Sequence, residues 1–456
     1  MLRRDMNNKI DFLYIGDLNL EHGGAQRHTF YTLKCIAREF NVLMYIVGEP
    51  SQESLRLIRD LKMDYVIVKN FSYNHLKIIC KHKKVRFLLV QWENPQWIIA
   101  AYKISREMGI PYILLMHELP ILGTPTKIFI RNFLLEYIIK LLTKIIKWHE
   151  RFSAFESFIA NRVKITFADD RKLHFYLDTI VRLLIRIRKF ITNIYRVFLV
   201  YRGVCCALNI LAVSPVSAYY VQTYFPVSEK ILTLKIPNGV DTRYIDGWEK
   251  EEDFKYDIGF MAARLVPEKG IIDLLEIIHK VQQKIKNDMG KEIKVAILGC
   301  FINEYIKQLF LRKAKELNII KNIDILGYLS EDEKFKVLRS MRLFLYPSIK
   351  DCFSISFIEA MACGCPSVVY DLPFTKQFRT EAMFKIRYRD LHTMANIVCK
   401  LIMLSHTQPT EFLSLRKSTI NFARQFKWDE VCKNETLILK HIINNYNINA
   451  DGGISK

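Results

Sequence analysis

Short apolar runs alternate with helical stretches over most of this 456-residue chain, and this alternation limits the possible folds more than any other feature. Consecutive parallel strands need a long crossover between them, which is usually a helix. In the first half of the chain the pattern predicts strands at residues 9–16, 42–47, 65–68, 87–91, 112–116, 210–213 and 231–236. Such a pattern is typical of a doubly wound α/β domain, in which ligands bind beyond the carboxyl ends of the strands.

The same alternation resumes after residues 237–241 (Pro-Asn-Gly-Val-Asp), a strong turn signal that predicts a hinge. Beyond it, strands are predicted at 257–261, 294–298, 323–326, 343–346 and 367–370, with helices between them and a last helix at 428–443. We therefore expect two Rossmann-like domains, residues 1–236 and 237–425, that face each other across a cleft, followed by a C-terminal helix within 426–447.

The first domain is interrupted by a basic segment, residues 127–202, which is too long for an ordinary connection. This segment holds 16 Lys and Arg against 6 Asp and Glu, a net charge of +10 out of +21 for the whole chain. Basic residues at 140, 144, 147 and 151, and again at 182, 186, 189 and 196, share helix faces opposite apolar ones. The segment predicts amphipathic helices that either pack on the domain or lie on an anionic membrane surface.

Composition indicates which class of protein this chain belongs to and where in the cell it is expected. Half of the residues are hydrophobic and a quarter are charged, which indicates a globular chain. The ten cysteines are scattered without a C-x-x-C pair, and the N-terminus is polar, without an apolar segment fit for a signal peptide. The uncharged run 203–228 is broken by Asn, Ser, Pro and Gln, so we do not expect it to span a membrane. These features predict a cytoplasmic protein, or one peripheral to the inner face of the cell membrane.

Residues 342–370 place two carboxylates, Asp351 and Glu359, around one helix N-terminus. The segment predicts a strand, a helix from Ser354 to Cys363 that Gly364 ends, and a second strand. A helix N-terminus offers unpaired N–H groups and a partial positive charge, which suit a phosphate, while a carboxylate deeper in the helix can accept sugar hydroxyls. An isolated acid pair more often only caps or solvates a helix, so the assignment depends on the neighbouring segments.

This segment resembles the family-4 glycosyltransferases, whose signature runs from Glu-Gly-Phe-Gly into Leu-Glu-Ala-Met-Ala-Cys-Gly. Here the sequence is Asp-Cys-Phe-Ser at 351–354, then Ile-Glu-Ala-Met-Ala-Cys-Gly at 358–364. Asp351 stands in place of the longer Glu, and Cys352 and Ser354 replace two glycines. Residues 263–270 (Ala-Arg-Leu-Val-Pro-Glu-Lys-Gly) are similar to the family motif Gly-Arg-Leu-x-x-Glu-Lys-Gly. The similarity extends from about residue 9 to residue 445, with only the insertion uncovered.

The resemblance implies roles for individual residues in binding a nucleotide-sugar donor. Arg264 and Lys269 would hold the diphosphate, because negative charge grows on the leaving phosphate in the transition state. In the same way, Asp351 would contact the transferred sugar and Glu359 would contact the ribose. The Ile355 and Ser356 amides, which follow Ser354, would bind the distal phosphate. Tyr328 would contact the base, His117 would lie near the reacting sugar, and Gly23 and Gly24 would let the backbone approach the ligand.

The resemblance also implies the GT-B fold, retention of configuration and a last helix that crosses back onto the first domain. No Asp-x-Asp motif lies between a strand and a loop, and Asp169-Asp170 lies inside the basic insertion, so we expect neither metal nor cofactor. The expected partners are a nucleotide-sugar donor, a glycan or glycolipid acceptor and an anionic membrane bound through 127–202, but not nucleic acid. The alternatives are a catalytically silent scaffold that binds a nucleotide sugar, a nucleic-acid-binding protein, and a nucleotide-sugar epimerase of similar two-domain build.

Overall fold

The computed structural model describes residues 9–19, 23–117, 192–241 apart from residue 194, and 254–451, together with Arg243 and Ile245. Most of the basic insertion expected at 127–202, including Asp169-Asp170, lies outside the described residues. Its last part is helical, over residues 195–205. Within the described ranges, none of the helices combines the length and the hydropathy that would be needed to cross a bilayer.

The first domain is a seven-stranded parallel sheet covered by helices. Its strands are β1 (Phe12–Gly16), β2 (Val42–Val47), β3 (Asp64–Val68), β4 (Phe87–Gln91), β5 (Tyr112–Met116), β6 (Asn209–Ala212) and β7 (Ile231–Thr233), in the order β3-β2-β1-β4-β5-β6-β7. Its helices are α1 (Gly24–Ile36), α2 (Gln52–Asp60), α3 (Tyr73–His82), α4 (Pro95–Met108), α5 (195–205) and α6 (Pro215–Tyr224). Every residue of β1, β4 and β5 is buried, which explains why these strands are apolar runs and do not alternate.

The second domain repeats this design with six parallel strands. They are β8 (Tyr256–Leu265), β9 (Val295–Phe301), β10 (Ile323–Gly327), β11 (Met341–Tyr346), β12 (Ser367–Tyr370) and β13 (Met383–Ile386), in the order β10-β9-β8-β11-β12-β13. The helices are α7 (Ile271–Met289), α8 (Glu304–Glu316), α9 (Glu331–Arg339), α10 (Ile355–Ala362), α11 (Leu391–Thr407), α12 (Pro409–Ala423) and α13 (Trp428–Asp451). The expectation of two parallel-sheet α/β domains is therefore confirmed.

The chain passes between the domains at two places that touch each other. The Val240 N–H donates to the Phe426 carbonyl at 2.9 Å, and Val240 forms a parallel bridge with Lys427. Gly239 packs so closely on Trp428 that an added Cβ would lie 2.5 Å from the Trp428 backbone nitrogen. Beyond this point α13 returns to the first domain and packs on α1, where Leu439 joins the core beneath the sheet.

Candidate active site

A cleft between the two domains collects most of the side chains that the sequence pointed to. The space between its walls, which is open to solvent, is about 1410 Å³. The residues that line it include Gly23, Gly24 and His117 from the first domain and Arg264, Lys269, Asp351, Ser354, Ile355 and Ser356 from the second. These nine residues come from four separate segments, 23–24, 117, 264–269 and 351–356, and the carboxyl ends of the two sheets bring them together.

A smaller cavity continues from this cleft, with about 540 Å³ of space that is also partly open to solvent, and it is lined by the other two predicted residues, Tyr328 and Glu359. The two cavities share Gly23, Gly24, Ile355 and Ser356 in their walls, so they form a single elongated site. The N-terminus of α10 lies where they meet. An elongated ligand with a phosphate at its middle would therefore extend into both cavities.

The first turn of α10 presents amide groups to the cleft. Ser354 caps the helix, and its Oγ accepts a hydrogen bond from the Phe357 N–H at 3.3 Å. Ile355 and Ser356 are first-turn residues, whose amides a helix cannot satisfy by itself. Gly24 lies against Ile355, so that an added Cβ would be 3.1 Å from the Ile355 Cδ1. The first domain thus closes over the helix end that the sequence predicted as a phosphate site.

Lys269 and Asp351 form an ion pair inside the cleft. Asp351 Oδ2 lies 2.7 Å from Lys269 Nζ and accepts a hydrogen bond from the Tyr346 hydroxyl, also at 2.7 Å. Burial is the largest single influence and disfavours the charged ammonium group, but Asp351 and Tyr346 together outweigh it and raise the pKa of Lys269 overall. Burial and the same carboxylate raise the pKa of Tyr346 to about 12. Lys269 is therefore a permanent cation at neutral pH, held by the acid expected to contact the sugar.

Gly270 fixes the turn that carries Lys269. Its φ is +76°, and an added Cβ would lie 1.9 Å from the Pro347 carbonyl oxygen. The short 3₁₀ turn Pro267–Lys269 packs against the loop after β11, where the Ile349 N–H donates to the Glu268 carbonyl at 3.0 Å. Only a residue without a side chain allows these two loops to approach so closely.

We expect Gly270→Ala to lower the free energy of unfolding by about 3 kcal/mol or more, because it adds a backbone clash to the cost of a left-handed alanine. Gly290→Ala is the matched control, since Gly290 has a similar φ of +65° but nothing within 4 Å of an added Cβ. It should cost only about 1 kcal/mol. Urea unfolding of both variants measures the difference, and equal losses would contradict this account.

His117 lies at the carboxyl end of β5 in a buried cluster of titratable groups. Its Nδ1 is 3.3 Å from Glu93 Oε1, and its ring is 4.7 Å from that of His28. Burial raises the pKa of Glu93 to about 8. His28 in turn contacts Asn238 Oδ1 and Glu435 Oε2, both at 2.9 Å. The cluster therefore connects the cleft to the hinge and to α13.

Glu359 is buried in a group of four charged side chains. Its Oε1 is 3.0 Å from Arg27 Nη1 and 2.7 Å from Lys334 Nζ. Glu331 contacts the same two cations, with Lys334 at 2.8 Å. Sequence reasoning missed Arg27, Lys334 and Glu331, and also Glu93. Glu93 could have been found, because it follows β4 as His117 follows β5.

In the part of the chain that the structure describes, His, Cys, Asp and Glu side chains do not gather in groups of three or more that could hold an ion. The expectation of metal-independent chemistry remains a prediction.

Comparison with known proteins relates the second domain to glycosyltransferases. Residues 246–382 match the family model described as "Glycosyl transferases group 1". An uncharacterized glycosyltransferase of Methanocaldococcus jannaschii is 27% identical over 146 residues, which are 29% of this chain and 35% of that protein. The MMP alpha-(1->4)-mannosyltransferase of Mycolicibacterium hassiacum is 29% identical over 160 residues, 35% of this chain and 36% of that protein. The chain thus matches about a third of the length of these curated relatives.

The whole fold resembles that of solved GT-B glycosyltransferases. The crystal structure of Anabaena HepE in complex with UDP and glucose aligns with a TM-score of 0.63 at 13% identity, covering 95% of this chain and 100% of that one. At this identity the likeness shows the fold alone. It confirms the GT-B architecture that the sequence led us to expect.

Proposed function

We propose that this protein is a group 1 glycosyltransferase that moves a hexose from a nucleotide diphosphate sugar to an acceptor, with retention of configuration and without a metal ion. One observation carries the proposal: Arg264, Lys269 and the N-terminus of α10 line the same cleft as Asp351. Two cations and a helix end suit a diphosphate, and a carboxylate suits the sugar attached to it. The match of residues 246–382 to the family model supports the same conclusion.

The chemical demand is to stabilise a leaving group. When the bond between the anomeric carbon and the phosphate oxygen breaks, its electron pair stays on the diphosphate. Fixed cations lower the energy of that charged transition state more than that of the ground state. Lys269 and Arg264 would supply this charge where other enzymes use a metal ion, and the Ile355 and Ser356 amides would hold the distal phosphate.

The proposed route to retention is attack on the same face that the phosphate leaves. The acceptor oxygen forms the new bond to the anomeric carbon, and its proton passes to the departing phosphate oxygen. A double displacement would instead need a carboxylate nucleophile beneath the sugar, and the paired Asp351 is an unsuitable one because Lys269 and Tyr346 occupy its Oδ2. His117 would orient the sugar, since it lines the cleft.

A screen of UDP, GDP and ADP sugars tests this function. A cognate donor should raise the melting temperature by mass action, and release of nucleoside diphosphate should continue in the presence of a chelator. Named relatives that transfer mannose or bind UDP and glucose make hexose donors the first choice. Tight binding without release or transfer would favour the silent scaffold, and absence of binding to the whole panel would reject the proposal.

The acceptor is proposed to be a lipid-linked or membrane glycan, reached through the basic insertion. Its net charge of +10 suits an anionic bilayer, and its charge follows amphipathic faces and not a nucleic-acid-binding module. The full chain should sediment with vesicles containing anionic lipid, and removing residues 127–202 should abolish this. Retention by DNA at equal or higher salt would instead support the nucleic-acid alternative.

A further inference from the structure

Arg27 reaches across the cleft from one domain to the other. It lies on α1 of the first domain, one turn after Gly23, and its guanidinium contacts Glu331 and Glu359 of the second domain. Arg27, Tyr328 and Glu359 line the smaller cavity together. The end of the site that we assign to the nucleoside is therefore built by both domains.

The four charges of this group balance and are largely removed from water. Glu359 and Lys334 are 8% and 7% exposed and Arg27 is 17% exposed, whereas Glu331 lies nearer the surface. Burial opposes the charge on Arg27, but Glu359 and Glu331 raise the pKa of its guanidinium overall. Removing Arg27 would leave two carboxylates to share Lys334, and a buried charge that loses its partner is strongly destabilised.

The atoms in contact decide whether Arg27 competes with a ligand. Arg27 and Lys334 both contact Oε1 of Glu359, so neither of these two contacts uses Oε2. A carboxylate has two oxygens and about four acceptor sites. Glu359 can thus accept a ribose hydroxyl at Oε2 while Arg27 holds Oε1. Lys334 belongs to the same domain as Glu359, whereas Arg27 contacts Glu359 from the other domain.

Resting on the function proposed above, we infer that Arg27 is a positioning residue that orients Glu359 toward the ribose of the donor and thereby couples nucleotide binding to domain closure. Arg27 joins the two domains at the ribose site through its ion pairs with Glu359 and Glu331. A hydroxyl contact to Glu359 therefore strengthens closure, and closure strengthens that contact. The diphosphate contacts of Lys269 and α10 belong to the second domain and do not need Arg27.

The test compares three probes on purified full-length protein. The nucleoside diphosphate among UDP, GDP and ADP that binds best, its 2′,3′-dideoxy form and inorganic pyrophosphate are titrated calorimetrically. In the wild-type protein, loss of both hydroxyls should weaken binding about tenfold or more. In Arg27→Gln this difference should shrink to about threefold or less, while pyrophosphate binds as before.

Two further variants keep the result interpretable. Glu331→Gln removes the charge of the second partner of Arg27 and leaves Arg27 itself unchanged. It should reduce the difference in affinity between the nucleotide and its dideoxy form by less than Arg27→Gln does. Lys440→Gln breaks an exposed ion pair with Glu39, between α13 and the first domain, and should leave discrimination unchanged. If Arg27→Gln does not fold, Glu331→Gln alone decides the outcome.

The possible outcomes separate this inference from the proposed function. The wild-type protein should bind a nucleotide more tightly than its dideoxy form. If Arg27→Gln and Glu331→Gln both show the same ratio of affinities as the wild-type protein, the role of Arg27 is overturned and the function stands. If the wild-type protein binds none of the three nucleotides, the function fails and this inference fails with it. Slower amide exchange in α1 on nucleotide binding, lost in Arg27→Gln, would establish the link to closure.

Discussion

Replacing Lys269 with glutamine should reduce kcat by about 10²- to 10³-fold, with a much smaller change in KM for the donor. Glutamine keeps most of the volume and removes the charge that stabilises the departing diphosphate. An interaction that is stronger in the transition state than in the ground state lowers kcat when it is lost. One preorganised electrostatic contact of this kind contributes about that factor. Steady-state kinetics with the cognate donor measures the effect.

Lys350→Gln is the control for Lys269→Gln. Lys350 lines the same cleft but is exposed, so water and salt screen its charge. Its loss should change kcat by less than about threefold. Equal losses in the two variants would mean that only the overall positive potential matters, and the specific role of Lys269 would be rejected. Thermal unfolding of Lys269→Gln checks that Asp351, which keeps its hydrogen bonds from the Tyr346 hydroxyl and the Cys352 N–H but loses its cation, does not destabilise the domain.

The fold was accessible from the sequence because buried parallel strands are apolar on both faces. Strands such as β4 and β5 were predicted with their observed bounds. The prediction was wrong where this signal fails. The strand expected at 231–236 ends at Thr233, and the four-residue strand β13 was not predicted. In β13 two of the four residues are only partly buried, so its apolar run is too short to stand out.

The local elements that carry the candidate site were predictable from the sequence, but the contacts between residues far apart in the chain were not. Turn and helix-start signals located the α10 N-terminus and the Lys269 turn, since both are local. The contact between Arg27 and Glu359 joins residues 332 positions apart, and nothing in the sequence around either residue indicates the other. Likewise, the pairing of Lys269 with Asp351 depends on how two loops pack around Gly270.

The departures from the glycosyltransferase signature that residues 351–364 resemble are accommodated without backbone strain. Cys352 and Ser354 stand where the signature that this segment resembles has glycine, yet neither has a positive φ, and Ser354 uses its side chain to cap α10. The Cys352 side chain is buried, and its carbonyl accepts hydrogen bonds from Ser214 Oγ at 3.0 Å and Gln377 Nε2 at 3.2 Å. Asp351 keeps its place through Lys269. Neither position therefore needs a backbone conformation that only glycine adopts.

Glu93→Gln should remove a pH dependence that the wild-type protein shows in both stability and activity. Burial raises the pKa of Glu93 to about 8, from about 4.5 in the unfolded chain, and Asp17 adds to the effect while Gln91 and His28 oppose it. Between these values the folded state binds more protons than the unfolded state, so the free energy of unfolding falls as pH rises. This contribution is complete below about pH 4.5 and is lost by the time pH passes about 8.

The same titration should act on catalysis through His117. A protonated Glu93 can donate to His117 Nδ1, which leaves the ring proton on Nε2; an ionised Glu93 instead accepts from Nδ1–H and exchanges the donor and acceptor roles of the ring. If Nε2–H is the form that orients the sugar, kcat/KM falls above about pH 8 in the wild-type protein. Glutamine imitates the neutral acid, so the variant should lose this alkaline limb.

Chemical denaturation at pH 5 to 9 and kcat/KM over the same range measure the two effects on one pair of proteins. Relative to the wild-type protein, the free energy of unfolding of Glu93→Gln should increase by on the order of a few kcal/mol from low to high pH. His117→Asn serves as the control, since it should abolish the alkaline limb of activity while the stability slope from Glu93 remains. A Glu93→Gln variant with an unchanged slope would show that Glu93 is ionised in the folded protein, and the protonated contact to His117 would have to be abandoned.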